Sequence, residues 1–195
     1  FSAFGSPTSY FYLRRFQLFY LFGEYEKSLK ILPDVEKYFL HMPAHIAYTE
    51  FFFYKALLFL SLSTSSNEEE QKRRDEIFAE AYGLLKLWSE HCEDNFLHLL
   101  LLVEAEKARV EGRDLEAMQL YEKAIESARK YEYIQNAAIA NELACKFYMS
   151  IGLEKVAATY LKDAQYLYGF WGATAKVKQI MEIYSTIFHS HHQSG

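Results

Sequence analysis

Three observations predict an all-α chain built from stacked antiparallel helix pairs. Only three prolines and eight glycines interrupt 195 residues, of which 51% are apolar, whereas a β-rich chain would need turn residues every eight to twelve positions or so. Apolar residues recur at three- and four-residue intervals, the spacing that gathers them on one helix face. A glycine turn also returns at a fixed offset, with small residues in matching places.

The elements follow in chain order. Gly23-Glu24-Tyr25-Glu26-Lys27-Ser28 reads as a turn between two helices, with the small Ser28 five positions after the glycine and Leu32 at a packing position. Ala44 to Ser63 and Glu68 to Cys92 read as a degenerate hairpin joined by Thr64-Ser65-Ser66-Asn67, in which Asn67 and Glu70 have capping-box spacing. Phe96 to Val110, then Gly112, then Leu115 to Tyr131 reads as the next hairpin. In the one after it, Ile139, Leu143, Ala144, Phe147, Tyr148 and Ile151 form one apolar face before Gly152. Val156, Ala157, Tyr160, Leu161, Ala164 and Tyr168 form the second face, until Gly169 or Gly172 ends the helix by tolerating a left-handed backbone. A final helix is predicted from Ala173 to about His189.

Gly112 and Gly152 lie forty residues apart, and at that offset Ala117 matches Ala157, Tyr121 matches Leu161, Ala124 matches Ala164 and Ala105 matches Cys145. Small side chains are expected where helix axes approach to about 8–10 Å, and large ones where they fill space between layers. Repetition at roughly 20 to 50 residues signals a solenoid, because one hairpin cannot bury its apolar face without a neighbour. The prediction is therefore a single domain over 1–195, a TPR-like α-α superhelix of about four helix hairpins plus a C-terminal capping helix. Its period exceeds the roughly thirty-four residues of the plain tetratricopeptide unit, which implies longer helices or looser turns.

The net charge of −5 is mild and the basic residues are interleaved with acidic ones, so nucleic acid is not expected as a partner. Cys92 and Cys145 lie far apart with no CxxC spacing, which fits a reducing, cytoplasmic compartment and neither a zinc cage nor a disulfide framework. No stretch is apolar enough for a transmembrane helix. The start Phe1-Ser2-Ala3-Phe4-Gly5 carries no initiator methionine and no basic leader, and a fragment of a larger multidomain protein is expected.

Particular residues carry a resemblance. Ile139-Ala140-Asn141-Glu142-Leu143-Ala144-Cys145-Lys146-Phe147-Tyr148, Gly152-Leu153-Glu154-Lys155-Val156-Ala157, Tyr160-Leu161-Lys162-Asp163-Ala164 and Trp171-Gly172-Ala173-Thr174-Ala175-Lys176-Val177 together resemble the helical region of large bacterial multidomain signalling kinases. In that family a serine/threonine-kinase-like domain and an AAA-type ATPase precede a TPR-like region, and a GAF sensor and a histidine kinase follow it. The match is specific from about Asn136 to Tyr184 and rests upstream on the helical pattern. It implies a spacer and interaction region of a two-component signalling protein, with the ATP-binding and kinase motifs outside this chain.

Motifs for chemistry are missing. No GxxxxGK[ST], GxGxxG after a strand, GxSxG or HExxH occurs, so phosphate cradling, nucleophilic hydrolysis and zinc-protease chemistry lack their minimum parts. No catalytic residue, cofactor or metal is expected. The tail His189, His191 and His192 lack a second shell to orient them, and Met42-Pro43 breaks the helix that would align His41 with His45. Glu68-Glu69-Glu70 reads as a solvated helix start. Aromatics make up 17% of the chain and crowd its first third. Phe11, Phe16, Phe19, Tyr20, Phe22, Phe51, Phe52 and Phe53 suit core filling, but too many fall on adjacent positions to face one core, so part of this N-terminal surface is expected to pack on a missing upstream repeat or domain.

In a TPR-like stack the first helix of each pair lines the inner, concave surface, and its non-core positions face a protein ligand. By that register the candidates are Tyr10, Arg14, Gln17, Glu106, Arg109, Asn141, Glu142 and Lys146, although Asn141 and Glu142 also suit hydrogen bonds between neighbouring hairpins. Their mixed charges suggest a mixed polar partner. The leading function is a non-catalytic interdomain scaffold. A stand-alone adaptor binding peptides in its groove is the alternative, and a helical small-ligand receptor or enzyme the third.

Overall fold

The computed structural model describes residues 7–39, 46–62 and 64–185. His41, His45, the tail histidines and the predicted end of the last helix lie outside the described residues. Among those described, the elements are helices α1 (Pro7–Leu21), α2 (Tyr25–Phe39), α3 (Ile46–Ser61), α4 (Glu68–His91), α5 (Glu93–Val110), α6 (Asp114–Lys130), α7 (Ile134–Ser150), α8 (Glu154–Trp171) and α9 (Thr174–Ile183). They match the four predicted hairpins and the last helix to within a few residues at most ends. The chain divides into two compact units, residues 1–88 and 89–195.

In the first unit, α1 and α2 pair about Gly23, and both pack on α3. Every residue from Phe51 to Leu58 is buried, so the adjacent phenylalanines do share one core. For these three the expectation that adjacent rings cannot face one core is corrected, because α3 packs against α1, α2 and α4, and a helix with little polar face belongs inside. Phe16 meets Phe51 with ring centroids 6.0 Å apart, and Trp88 of α4 closes on Tyr48 and Phe52 at 6.1 and 6.0 Å.

Lys55 lies in the middle of α3 and is 4% exposed. Its Nζ reaches Glu36 Oε1 of α2 and Glu80 Oε2 of α4, each at 3.0 Å, and stands over the Phe51 and Phe52 rings. A buried cation is tolerated only when paired in this way. Phe11 and Leu18 of α1 stay exposed, with the Arg15 guanidinium 5.4 Å from the Phe11 and Phe19 ring centres.

The start of α4 corrects the capping box. Asn67 Oδ1 does accept the N–H groups of Glu69 and Glu70, at 3.0 and 3.1 Å. The Glu70 carboxylate takes the Ser65 hydroxyl and Arg74 instead of reaching back to the Asn67 N–H. That N–H donates to Ser65 Oγ.

The second unit is a regular array. Left-handed residues fall at Gly112 (φ 71°), Glu132 (61°), Gly152 (78°) and Gly172 (84°), a step of twenty. Each makes the same two hydrogen bonds. The N–H of the left-handed residue donates three positions back, and the next N–H donates five positions back. Arg113 N to Ala108 O, Tyr133 N to Ala128 O, Leu153 N to Tyr148 O and Ala173 N to Tyr168 O all lie at 2.8–2.9 Å. This is the Schellman arrangement, which satisfies carbonyls that a helix end leaves open.

The core follows the predicted register. Ala105, Ala117, Ala124, Cys145, Ala157 and Ala164 are at most 1% exposed, as are the large Tyr121 and Leu161. Alanines on facing helices let α5 approach α6, and α7 approach α8, closely. Burial pushes the Cys145 thiol up to about 12.

Candidate protein-interaction face

The candidate residues lie on the first helices of their pairs, α1, α5 and α7. Gln17, Glu106, Asn141 and Glu142 are buried, at 5%, 2%, 1% and 5% exposure. Placing these four on a ligand-facing surface is therefore corrected: their polar atoms are turned toward neighbouring protein groups. Arg14 is exposed, and Tyr10, Arg109 and Lys146 are half-buried.

The buried and accessible members are coupled. On α1, Arg14 Nη1 donates to Gln17 Oε1 at 2.6 Å and to Glu50 Oε2 of α3 at 2.9 Å, and Gln17 Nε2 reaches the same Glu50 oxygen at 3.1 Å. On α5, the Glu106 carboxylate accepts from the Tyr121 hydroxyl of α6 and holds Arg109 Nη2 at 2.7 Å. On α7, Glu142 Oε2 accepts from the Tyr168 hydroxyl of α8 at 2.7 Å, while Oε1 holds Lys176 of α9 at 2.8 Å and Lys146 at 2.9 Å. Each carboxylate or amide is thus satisfied inside and presents a basic side chain toward the surface. Asn141 behaves differently. Its Nδ2 returns to Ala137 O of its own helix at 2.7 Å, so it ties no neighbouring hairpin.

Electrostatics follow from this wiring. Burial works to raise the Glu142 pKa, but Lys146, Lys176 and the hydrogen bonds to Lys176 and Tyr168 outweigh it and hold the carboxyl below its usual range. The side chain stays charged at neutral pH and joins three helices.

Sequence reasoning missed a second set of links. Asn136 Nδ2 of α7 lies 2.8 Å from His98 Nε2 of α5, and His98 stacks on Tyr133 with ring centres 4.2 Å apart. His98 is 2% exposed, and burial lowers its pKa to about 4. Lys176 sits forty positions after Asn136. Both residues open a first helix and reach back to the first helix before it, so the array repeats its polar ties as well as its turns. The signal was that offset, hidden because an amide and an ammonium look unrelated.

Among the described residues no group of three or more His, Cys, Asp or Glu side chains is placed to hold a metal ion, and no helix is long and apolar enough to cross a membrane. Repeated helix pairs, Schellman turns at a fixed step and buried inter-helix ion pairs define an all-α, TPR-like helical-repeat region of the protein-interaction class. The family model described as CHK1-like, TPR repeats matches residues 10–157, and the chain belongs to that family. No curated protein and no solved structure matches it.

Proposed function

We propose that this chain is the non-catalytic scaffold and interaction region of a cytoplasmic multidomain signalling kinase, placed between an ATPase and kinase-like part and a GAF sensor with a histidine kinase. The observation that carries the reading is the Glu142–Lys176 contact at 2.8 Å. It joins the two sequence pieces that resemble the kinase family, the Asn141-Glu142 pair and the turn ending in Lys176-Val177. Their pairing in a buried site gives that motif a physical reason: it fastens one repeat to the next, and fastened repeats transmit displacement between flanking domains. The family match runs through both units, which supports reading residues 1–195 as one repeat domain. Arg14, Arg109, Lys146 and Tyr10 are the positions proposed to meet a protein partner.

Sequencing the gene on either side tests this. The expected result is a GxxxxGK[ST] loop upstream and a histidine-kinase phospho-acceptor downstream in the same reading frame. A frame that opens next to Phe1 and carries neither motif contradicts it and favours a stand-alone adaptor.

A further inference from the structure

Few buried groups hold α9. Of its ten residues, Lys176 and Ile180 are the buried ones, whereas α7 buries eleven of its seventeen. A helix this short is marginal in water on its own, so the docking of α9 and its helicity go together.

The docking contact is a shared carboxylate. Glu142 Oε1 lies 2.8 Å from Lys176 Nζ of α9 and 2.9 Å from Lys146 Nζ of its own helix. Two ammonium groups on one oxygen stand within about 6 Å of each other and repel. Burial does most to lower the Lys176 pKa, and the charge of Lys146 adds to it against the pull of Glu142. Both sides also keep a partner when the contact opens. Glu142 retains Lys146 and the Tyr168 hydroxyl, at 2.9 and 2.7 Å, and Lys176 retains Gln179 Oε1 of its own helix at 2.7 Å. Opening a buried pair is most costly when it strands a charge, and here neither charge is stranded. Forty positions earlier, Glu142, Lys146 and Lys176 correspond to Leu102, Glu106 and Asn136. The step from α5 to α7 therefore uses a neutral tie, Asn136 to His98, where the step from α7 to α9 uses a contested ion pair.

From this arrangement we infer that α9 is a releasable latch, which undocks from α7 and α8 as a unit. Lys146 is its resident cation, opposing Lys176 while α9 is docked and holding Glu142 once α9 has left. The fastening at Glu142 is thereby reversible, and the scaffold gains one helix with two positions. The inference goes beyond the scaffold reading and does not rest on the kinase context, which the flanking motifs test separately.

Hydrogen exchange of the whole 195-residue chain at pH 7.5, read by mass spectrometry on peptides covering 174–184 and 137–148, tests it. In the native chain the α9 amides should be at least about tenfold less protected than those of α7, the mark of an opening of their own. Lys146→Met keeps the aliphatic stem and removes the charge. It should slow α9 exchange about tenfold, since the repulsion at that spacing ranges from about threefold in water to about a hundredfold near a protein surface, while α7 exchange stays the same or quickens. In a Lys176→Gln background the same change should leave α9 exchange unaltered. Lys146→Gln, with the same expectation, is the second variant should Lys146→Met lose its helices by circular dichroism. Equal protection of α9 and α7 in the native chain overturns the inference. So does α9 exchange that is unchanged or faster when Lys146 loses its charge, or that slows equally with and without Lys176, because the resident cation would then act through packing alone.

Discussion

Acidification from pH 7.5 to pH 5 should remove stability through one side chain. His98 is 2% exposed; Asn136 touches its Nε2 and Tyr133 covers its face, while Tyr133 itself donates to Asn95 at 2.7 Å. Among the described residues no carboxylate pairs with the ring, and burial lowers its pKa from 6.5 to about 4. Between those two values the unfolded chain binds a proton that the folded chain refuses. Stability is thus complete above about pH 6.5 and falls as pH drops through the window, by about 2 kcal/mol at pH 5 and about 3 kcal/mol below pH 4. Urea unfolding at pH 7.5 and at pH 5, for the native chain and for His98→Gln, measures it. The native chain should lose about 2 kcal/mol more than the variant over that interval. Equal losses would refute the reasoning, because the ring would then titrate alike in both states. Stopping at pH 5 keeps the measurement clear of Glu142, whose lowered pKa places its own loss of stability at lower pH.

Other substitutions probe the turns, core and ion pairs. Gly152→Ala should cost about 1 kcal/mol, since nothing crowds the new methyl but the φ of 78° disfavours it; Glu132→Gly should be neutral or stabilising by up to about 1 kcal/mol at the equivalent turn, and chemical denaturation ranks them. Ala124→Leu or Ala164→Leu should destabilise by roughly 1–3 kcal/mol through overpacking, read as a fall in Tm. Lys176→Met removes the buried partner of Glu142 and should cost about 3–5 kcal/mol, and Lys146→Ala and Arg109→Ala, which take one cation from the buried Glu142 and Glu106, should cost less, about 1–3 kcal/mol. A maleimide reagent should modify Cys92, which is partly exposed, and spare Cys145, which is buried and whose thiol stays protonated at neutral pH; mass spectrometry of the native chain decides it.

The repeat was legible because glycine turns and alanines mark close approaches that only small or permissive residues allow. Gly112, Gly152 and the alanines forty apart located the helices and the core before any coordinates. Half of the periodicity stayed hidden, since Glu132 holds the same left-handed turn without being glycine. The site was less legible for a related reason. Helical spacing shows that Glu106 and Glu142 lie off the apolar stripe, but not that Tyr121, Tyr168 and Lys176 arrive from other helices to bury them. A polar residue with such partners belongs to the interior, and without the partners in view it looks like a surface residue. The crowded rings of α3 misled in the opposite sense, because a periodicity argument assumes one buried face and that helix has several.

The step of twenty residues from turn to turn is the claim on which the rest depends, and a crystal structure of the chain measures it directly. Superposing residues 93–132 on residues 133–172 should overlay Gly112 on Gly152 and Glu132 on Gly172, all four with positive φ, with Asn136 and Lys176 each reaching back to the preceding first helix. Turns that fall at non-equivalent corners, or a negative φ at Glu132, would contradict it.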